Sequence, residues 1–521
     1  MRSAFLAAGR LFAGALALAA SPVVAEWREK VDPRLLARLA GAAHGEAEFL
    51  VVLEEQADLS PARNLGSKLE KGRFVFESLT ATAERSQGPL RAELAQAGIE
   101  YRPYWIVNMI QAKGDLGAVA SVASRWDVAR IDDNSPAKLD GPVSSTGVAE
   151  EGPEGSATIE WNILRVNADD VWLAGFTGAG AVIGAQDTGY AWEHPALKAK
   201  YRGWNGATAD HDYNWHDSIH SAGSSCGPDV TAPCDDHGHG THTQGTMLGD
   251  DGAGNQIGMA PGAKWIGCRN MNAGDGTPAT YAECYQWFVA PTEVGGANPD
   301  PAMAPHVINN SWGCPGSEGC NAGSLLTATE NLRAAGIFTA HSAGNSGSSC
   351  STVSTPSGIY DASFTVGSIT EGDMIWSSSS RGPVTVDGSN RRKPDIAAPG
   401  ACIRSSLAGG GFGGHSPCTW SGTSMAAPHL AGLVALLISA EPALAGQVDA
   451  LEELIRESAI HLTTSSQVCG SIAATTYPNN TFGFGLIDAQ AAVELLQSGF
   501  LFRDGFETRL TDDWSATVLA R

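Results

Sequence analysis

Four polar segments of this 521-residue chain carry side chains that could act together on a carbonyl carbon. Asp187 lies in Gln186-Asp187-Thr188-Gly189, directly after the apolar run 182–185. His239 lies in His237-Gly238-His239-Gly240-Thr241-His242, behind an acidic stretch. Asn345 lies in the glycine-rich Ser342-Ala343-Gly344-Asn345-Ser346-Gly347. Ser424 lies in Gly422-Thr423-Ser424-Met425-Ala426-Ala427-Pro428-His429, which runs into the apolar stretch 430–440. A hydroxyl is a weak nucleophile until a base takes its proton. The base in turn needs a carboxylate to fix its tautomer and stabilise its cation. Asp, His and Ser supply those three roles. Ser424 at a helix start would set free backbone N–H groups beside a developing anion, and the Asn345 amide could donate to the same oxygen. By composition alone His237 and His242 are alternative bases. Each residue has a plainer use by itself, as a strand-end turn, a loop histidine, a turn former or a helix cap. The case for chemistry rests on the four together.

Groups so far apart need a frame. Short apolar stretches at 182–185, 265–268, 307–309, 337–340 and 363–366 read as strands, with helical composition between several of them, as at 328–335. Strand–helix alternation predicts an α/β fold, a mostly parallel central sheet with helices on both faces. Such sheets carry their sites at the carboxyl ends of the strands, where several of the polar segments fall. Ahead of this frame, strands at 48–53, 104–110 and 128–131 alternate with helices at 65–97 and 116–125, which predicts a small α+β unit. Residues 132–156 are rich in Pro, Gly, Ser and acid and read as a linker.

Charge and cysteine content separate the same two regions. Residues 26–150 hold 15 basic and 19 acidic side chains, whereas 151–521 hold 16 and 37. The formal net charge of −23 disfavours nucleic acid and anionic membranes as partners. All ten cysteines lie between Cys226 and Cys469. The N-terminus has Arg2 and Arg10, an apolar run over 11–20 and a Val23-Val24-Ala25 exit site, the pattern of a secretory signal cut after Ala25. The expected product is soluble, without a membrane span, and extracellular or periplasmic. In that compartment ten cysteines predict up to five disulfides. Short loops favour Cys226–Cys234, Cys314–Cys320 and Cys402–Cys418; no CxxC pair suggests a metal site.

The four segments resemble the signature set of the subtilases, the subtilisin-like serine proteases. Further strings agree: VINNSWG at 307–313, SSSRGP at 378–383, KPDIAAPG at 393–400, GMAPGA at 258–263 and GFGLIDA at 483–489. The likeness spans about residues 160–495, and INNSWG is similar to the bacillopeptidase-F-like branch. The resemblance implies Asp187 as orienting acid, His239 as general base, Ser424 as nucleophile, and Asn345 with the Ser424 N–H as oxyanion hole. His239 is chosen over His237 and His242 because it opens the Gly-Thr-His register. Substrate binding is expected along Ser311, Trp312 and Gly313 and along Ser342, Ala343 and Gly344. The bulky Trp312 is expected to reshape the subsites, and the far wall of the pocket is expected at residues 352–356 with Ser354.

The implied organisation is a signal peptide over 1–25, a propeptide and inhibitor over 26–140, a maturation region over 141–157, a subtilisin-like peptidase over 158–497 and a tail of unassigned role over 498–521. The implied protein is a secreted monomeric zymogen acting on protein or peptide substrates, with its own propeptide as a partner. The chemistry requires no cofactor. Asp210, Asp212, Asp217, Asp235, Asp236, Asp250 and Asp251 leave a structural calcium ion open, with its ligands unknown. A sedolisin-type acid protease shares the SGTS string but uses Glu and Asp where this chain has His239, and the trypsin-like GDSGG is absent. A catalytically inactive subtilase fold used for binding or adhesion is the alternative of another class.

Overall fold

The structure, a computed structural model, describes residues 27–41, 45–139, 158–314 and 320–499. The signal segment, the maturation region and the tail beyond residue 499 lie outside the described residues.

The N-terminal unit is built on β1 (Glu46–Leu53), α1 (Lys68–Gln96), β2 (Tyr101–Tyr104), β3 (Met109–Asp115), α2 (Leu116–Ala123) and β4 (Val128–Asp133). Its four strands form an antiparallel sheet in the order β2-β3-β1-β4. Successive strand residues point to opposite faces, and β1 buries both. Phe49, Val51 and Leu53 pack with Leu90, Leu94, Val119 and Val122. Leu50 and Val52 share a cluster with Tyr104, Ile106 and Val107, and with side chains of the following body. Helix α1 starts in a capping box, in which the Ser67 hydroxyl accepts the Glu70 N–H and the Glu70 carboxylate accepts the Ser67 N–H.

One expectation fails here. The apolar run 104–110 is not one strand but the turn of a hairpin, with β2 ending at Tyr104 and β3 starting at Met109. Asn108 takes a left-handed φ of 46° to make the turn. The turn is apolar because it is covered. Gln286 Oε1 accepts the Trp105 and Ile106 N–H groups at 2.6 and 3.2 Å, and Asn331 Nδ2 donates to Ile106 O at 2.6 Å.

The body is a seven-stranded sheet made of β5 (Val182–Asp187), β6 (Trp215–Asp217), β7 (Lys264–Arg269), β8 (Val307–Asn310), β9 (Phe338–Ser342), β10 (Phe364–Ile369) and β11 (Ile396–Pro399). The order is β11-β10-β9-β8-β5-β7-β6, and every pairing is parallel. Both faces are covered, so the strands read as apolar runs rather than alternations. Val307, Phe338, Ala340 and Val366 join the cluster that holds α6 (Thr423–Ala440). Ile266, Cys268 and Ile308 join the cluster that holds α4 (Pro278–Val289) and α5 (Leu326–Ala334). Helix α6 has the length and apolarity of a membrane span, yet 89 % of it is buried inside the protein. The chain order reverses direction between β5 and β8. That switch point sets the ends of these two strands at the crevice where α/β sheets bind ligands.

All ten cysteines are paired. The three short-loop pairs are present as expected, and Cys268–Cys284 and Cys350–Cys469 complete the set.

Candidate active site

Asp187 is the last residue of β5 and is fully buried. His239 is the first residue of α3 (His239–Leu248), whose N-cap, Gly238, turns with φ 99°. The two meet directly, with His239 Nδ1 at 2.7 Å from Asp187 Oδ1. The same oxygen accepts the Thr188 N–H at 2.8 Å, and Oδ2 faces the Thr243 hydroxyl at 3.4 Å. A proton held on Nδ1 by the carboxylate leaves the lone pair on Nε2, the tautomer a general base needs. Among the described residues Nε2 is buried and has no hydrogen-bond partner. The close approach of the two segments requires glycine at 189. Its φ is 109°, and an added Cβ would lie 1.8 Å from Cys234 O.

The rival histidines are placed otherwise. The His242 ring stacks on Trp420 at 4.1 Å, and its Nε2 lies 3.0 Å from Ile403 O. Burial, reinforced by nearby His239, pushes its pKa down to about 3, so it is neutral and structural. His237 is also pushed down, by burial and then by His239, and its ring lies 6.5 Å from that of His239.

Ser424 is the second residue of α6, where backbone N–H groups have no partner within the helix. Its Oγ donates to Ser311 O at 3.0 Å, and the Ser311 hydroxyl donates to Ser424 O at 2.9 Å. The Ser424 proton is thus given to Ser311 O, and the serine–histidine hydrogen bond is not formed in this state. Hydrogen bonds between a serine and a histidine commonly tighten only with substrate bound. The His239 and Trp420 rings are 6.3 Å apart, which sets the imidazole beside the segment that leads into α6. Asn345 Oδ1 accepts both the Thr423 N–H at 2.9 Å and the Thr423 hydroxyl at 3.0 Å. This orients the amide so that Nδ2 is its donor end. The double link between Ser311 and Ser424 has no counterpart in the sequence reading, which gives Ser311 to substrate alone.

The expected subsite segments come together. Ser342 Oγ faces Trp312 O at 3.4 Å, Cys314 N donates to Pro356 O at 3.1 Å, and a Cβ on Gly313 would lie 2.8 Å from the Thr355 hydroxyl. The Trp312 side chain is 2 % exposed, stacked on Tyr281 at 3.9 Å and edge-on to His341. It is a packed wall rather than a group projecting into open space, which limits how it can reshape a subsite. A hairpin that the sequence reading passes over, Met271–Asn272 with Asp275–Gly276, takes Ala137–Lys138 as a third antiparallel strand. Leu139 N extends the pairing to Gly274 O at 2.8 Å.

Several acids of the acidic stretch are engaged by partners within the protein. Asp217 and Asp236 pair with the buried Arg269, and Asp250 and Asp251 accept amides of their own loop. Among the described residues no group of three or more His, Cys, Asp or Glu is placed to hold a metal ion.

A doubly covered parallel sheet with an Asp–His pair at the end of one strand and a serine at a helix start defines a class, and sequence comparison agrees with it. Residues 178–485 match the subtilase family model, and the chain belongs to that family of serine endopeptidases. It is 33 % identical over 467 residues to bacillopeptidase F of Bacillus subtilis (strain 168), covering 87 % of this chain and 31 % of that protein. It is 28 % identical over 347 residues to subtilisin E of the same strain, covering 66 % of this chain and 73 % of that protein. Serine protease AprX of that strain is 31 % identical over 299 residues, or 54 % of this chain and 61 % of that one. The chain thus spans about a third of one relative and about three quarters of another.

Proposed function

We propose that the chain is a secreted serine endopeptidase, made as a zymogen, in which Asp187, His239 and Ser424 form the catalytic triad. The observation that carries this reading is the 2.7 Å contact between Asp187 and His239 at the sheet end that also receives the start of α6. Ser424 Oγ rotates off Ser311 O, gives its proton to His239 Nε2 and attacks the peptide carbonyl. The resulting oxyanion receives the Ser424 N–H and Asn345 Nδ2. His239 then protonates the leaving amine, and an acyl-enzyme remains on Ser424. Water, deprotonated by the same imidazole, releases the second product and restores the hydroxyl. Substrate backbone lies along Ser311, Trp312 and Gly313, with Ser342, Ala343 and Gly344 forming the side-chain pocket. The N-terminal unit assists folding of the slow-pairing parallel sheet and, through Ala137–Lys138 on the 271–276 hairpin, blocks the approach to the site until the chain is cut after it. Five disulfides within the body favour an oxidising compartment.

The test is Ser424→Ala in the full chain. Turnover of a peptide substrate should fall by about four to six orders of magnitude, and the purified precursor should remain uncut. A mutant that still hydrolyses peptides would refute the assignment. A folded wild-type chain that neither cleaves nor reacts with a serine-directed reagent would favour the alternative, a subtilase fold used for binding.

A further inference from the structure

One carboxylate beside the site has no place in the chemistry above, yet it holds five donors. Asp235 Oδ1 accepts the N–H groups of His237 at 3.1 Å and Gly238 at 2.7 Å, and the Thr188 hydroxyl at 2.9 Å. Oδ2 accepts the Thr241 N–H at 3.0 Å and its hydroxyl at 2.5 Å. Three of these are backbone donors at the entry to α3. They need an outside acceptor because the N-cap residue, Gly238, has no side chain. The other two are hydroxyls that reach across to the β5 end. Thr188 follows Asp187 and also accepts the Gly240 N–H at 3.0 Å, while Thr241 Oγ1 accepts the Ala191 N–H at 2.9 Å. A single carboxylate therefore joins the loop leaving Asp187 to the helix turn that carries His239.

We propose that Asp235 is a positioning residue for the His239 base, clamping Thr188 and the start of α3 so that the imidazole keeps its geometry to Asp187 and to the incoming nucleophile. The inference rests on the triad reading above. The clamp needs a carboxylate. An ionised Asp accepts on both oxygens, whereas Asn has one acceptor and turns an NH₂ group against donors. Burial pushes the Asp235 carboxyl pKa up, while the hydrogen bonds from Thr241, Gly238 and His237 oppose it. A displacement of about 1 Å in a reacting group can cost about 100-fold in rate.

The experiment compares Asp235→Asn with wild type, counting folded molecules by the cooperative unfolding signal. The expected result is a fall in kcat per folded molecule of about 10- to 100-fold, with KM changed less than about threefold, because the five donors that Asp235 holds belong to Thr188, His237, Gly238 and Thr241 and not to the subsite segments. Because Asp235→Asn could also impair folding, Thr188→Val serves as a second variant. It removes the Thr188 link to Asp235 and the acceptor of the Gly240 N–H, leaves the other four donors on Asp235 in place, and should lower kcat in the same direction by less. A purely structural role would reduce the folded fraction and leave kcat per folded molecule unchanged in both variants; that result overturns the proposal. Combining Asp235→Asn with Asp187→Asn should cost less than the product of the single losses, since both act through one imidazole. Strictly multiplicative losses would also overturn it. Asp187→Asn alone separates the two readings. If that change is harmless, the triad reading fails; if it is costly and Asp235→Asn is harmless, only the clamp fails.

Discussion

The two halves of the site are held in different states. On one side Asp187 and His239 are already bonded, buried and fixed by Thr188, Thr243 and the turn into α3. On the other side Ser424 is tied to Ser311, and Asn345 to Thr423, with no bond crossing to His239. In the proposed mechanism the base is thus assembled in advance, whereas the nucleophile is held in a neighbouring hydrogen bond. The difference follows from the chain. Asp187 and His239 sit on adjoining turns pressed together at Gly189, where a single contact sets the distance. Ser424 is a short side chain at a helix start with a rotatable hydroxyl, and the nearest acceptor takes it.

Mutation can sharpen that contrast. Asp187→Asn strikes the preassembled half. It keeps the shape but favours the wrong imidazole tautomer, and kcat should fall by about 10⁴. A loss under tenfold in steady-state kinetics would show that the Asp187–His239 contact is not what prepares the base. Asn345→Ala strikes the stored half by removing one oxyanion donor, and kcat should fall by about 10²–10³ with KM little changed. A change mainly in KM would make Asn345 a ground-state contact instead.

The smallest effect concerns the buried histidines behind both halves. Burial pushes His242 and His341 down to about 3, and His306 and His429 down to about 4. The folded chain keeps all four neutral, while the unfolded chain protonates them below about pH 6.5. Their stability contribution is therefore intact above that pH and is lost progressively as the pH falls toward 3–4. His220 works the other way. Burial lowers its pKa, but hydrogen bonding and charge from Glu283 outweigh this and leave it raised. Urea unfolding of the Ser424→Ala protein between pH 7 and 5 should show a net loss of stability; constant or rising stability over that range would contradict the neutral assignment.

Much of the frame is legible in the chain because its signals are local. The apolar runs ending at Asp187 and near Ser342 mark strand ends, and the short-loop cysteine pairs lie within 16 residues of each other. Most of what is missed depends on distant partners, although Cys268–Cys284 is passed over at the same 16-residue spacing as Cys402–Cys418. The turn after Tyr104 looks like a strand because the body covers its apolar side chains. The three-residue β6 is too short and polar to stand out, and β11 ends in Pro399. Cys350 and Cys469 are 119 residues apart. Asp235 is one acid among seven in its region, and only its five donors distinguish it from a solvated side chain. Ser311 reads as a substrate contact, yet its hydroxyl and carbonyl both engage Ser424.

The central claim is that one hydroxyl, Ser424, is activated by His239. The most direct measurement is reaction of the folded, mature protein with a sulfonyl fluoride, followed by peptide mapping. The account predicts one adduct, on Ser424, and a rate of labelling that collapses in His239→Ala. An adduct on another residue, or labelling of Ser424 that is indifferent to His239, would contradict it.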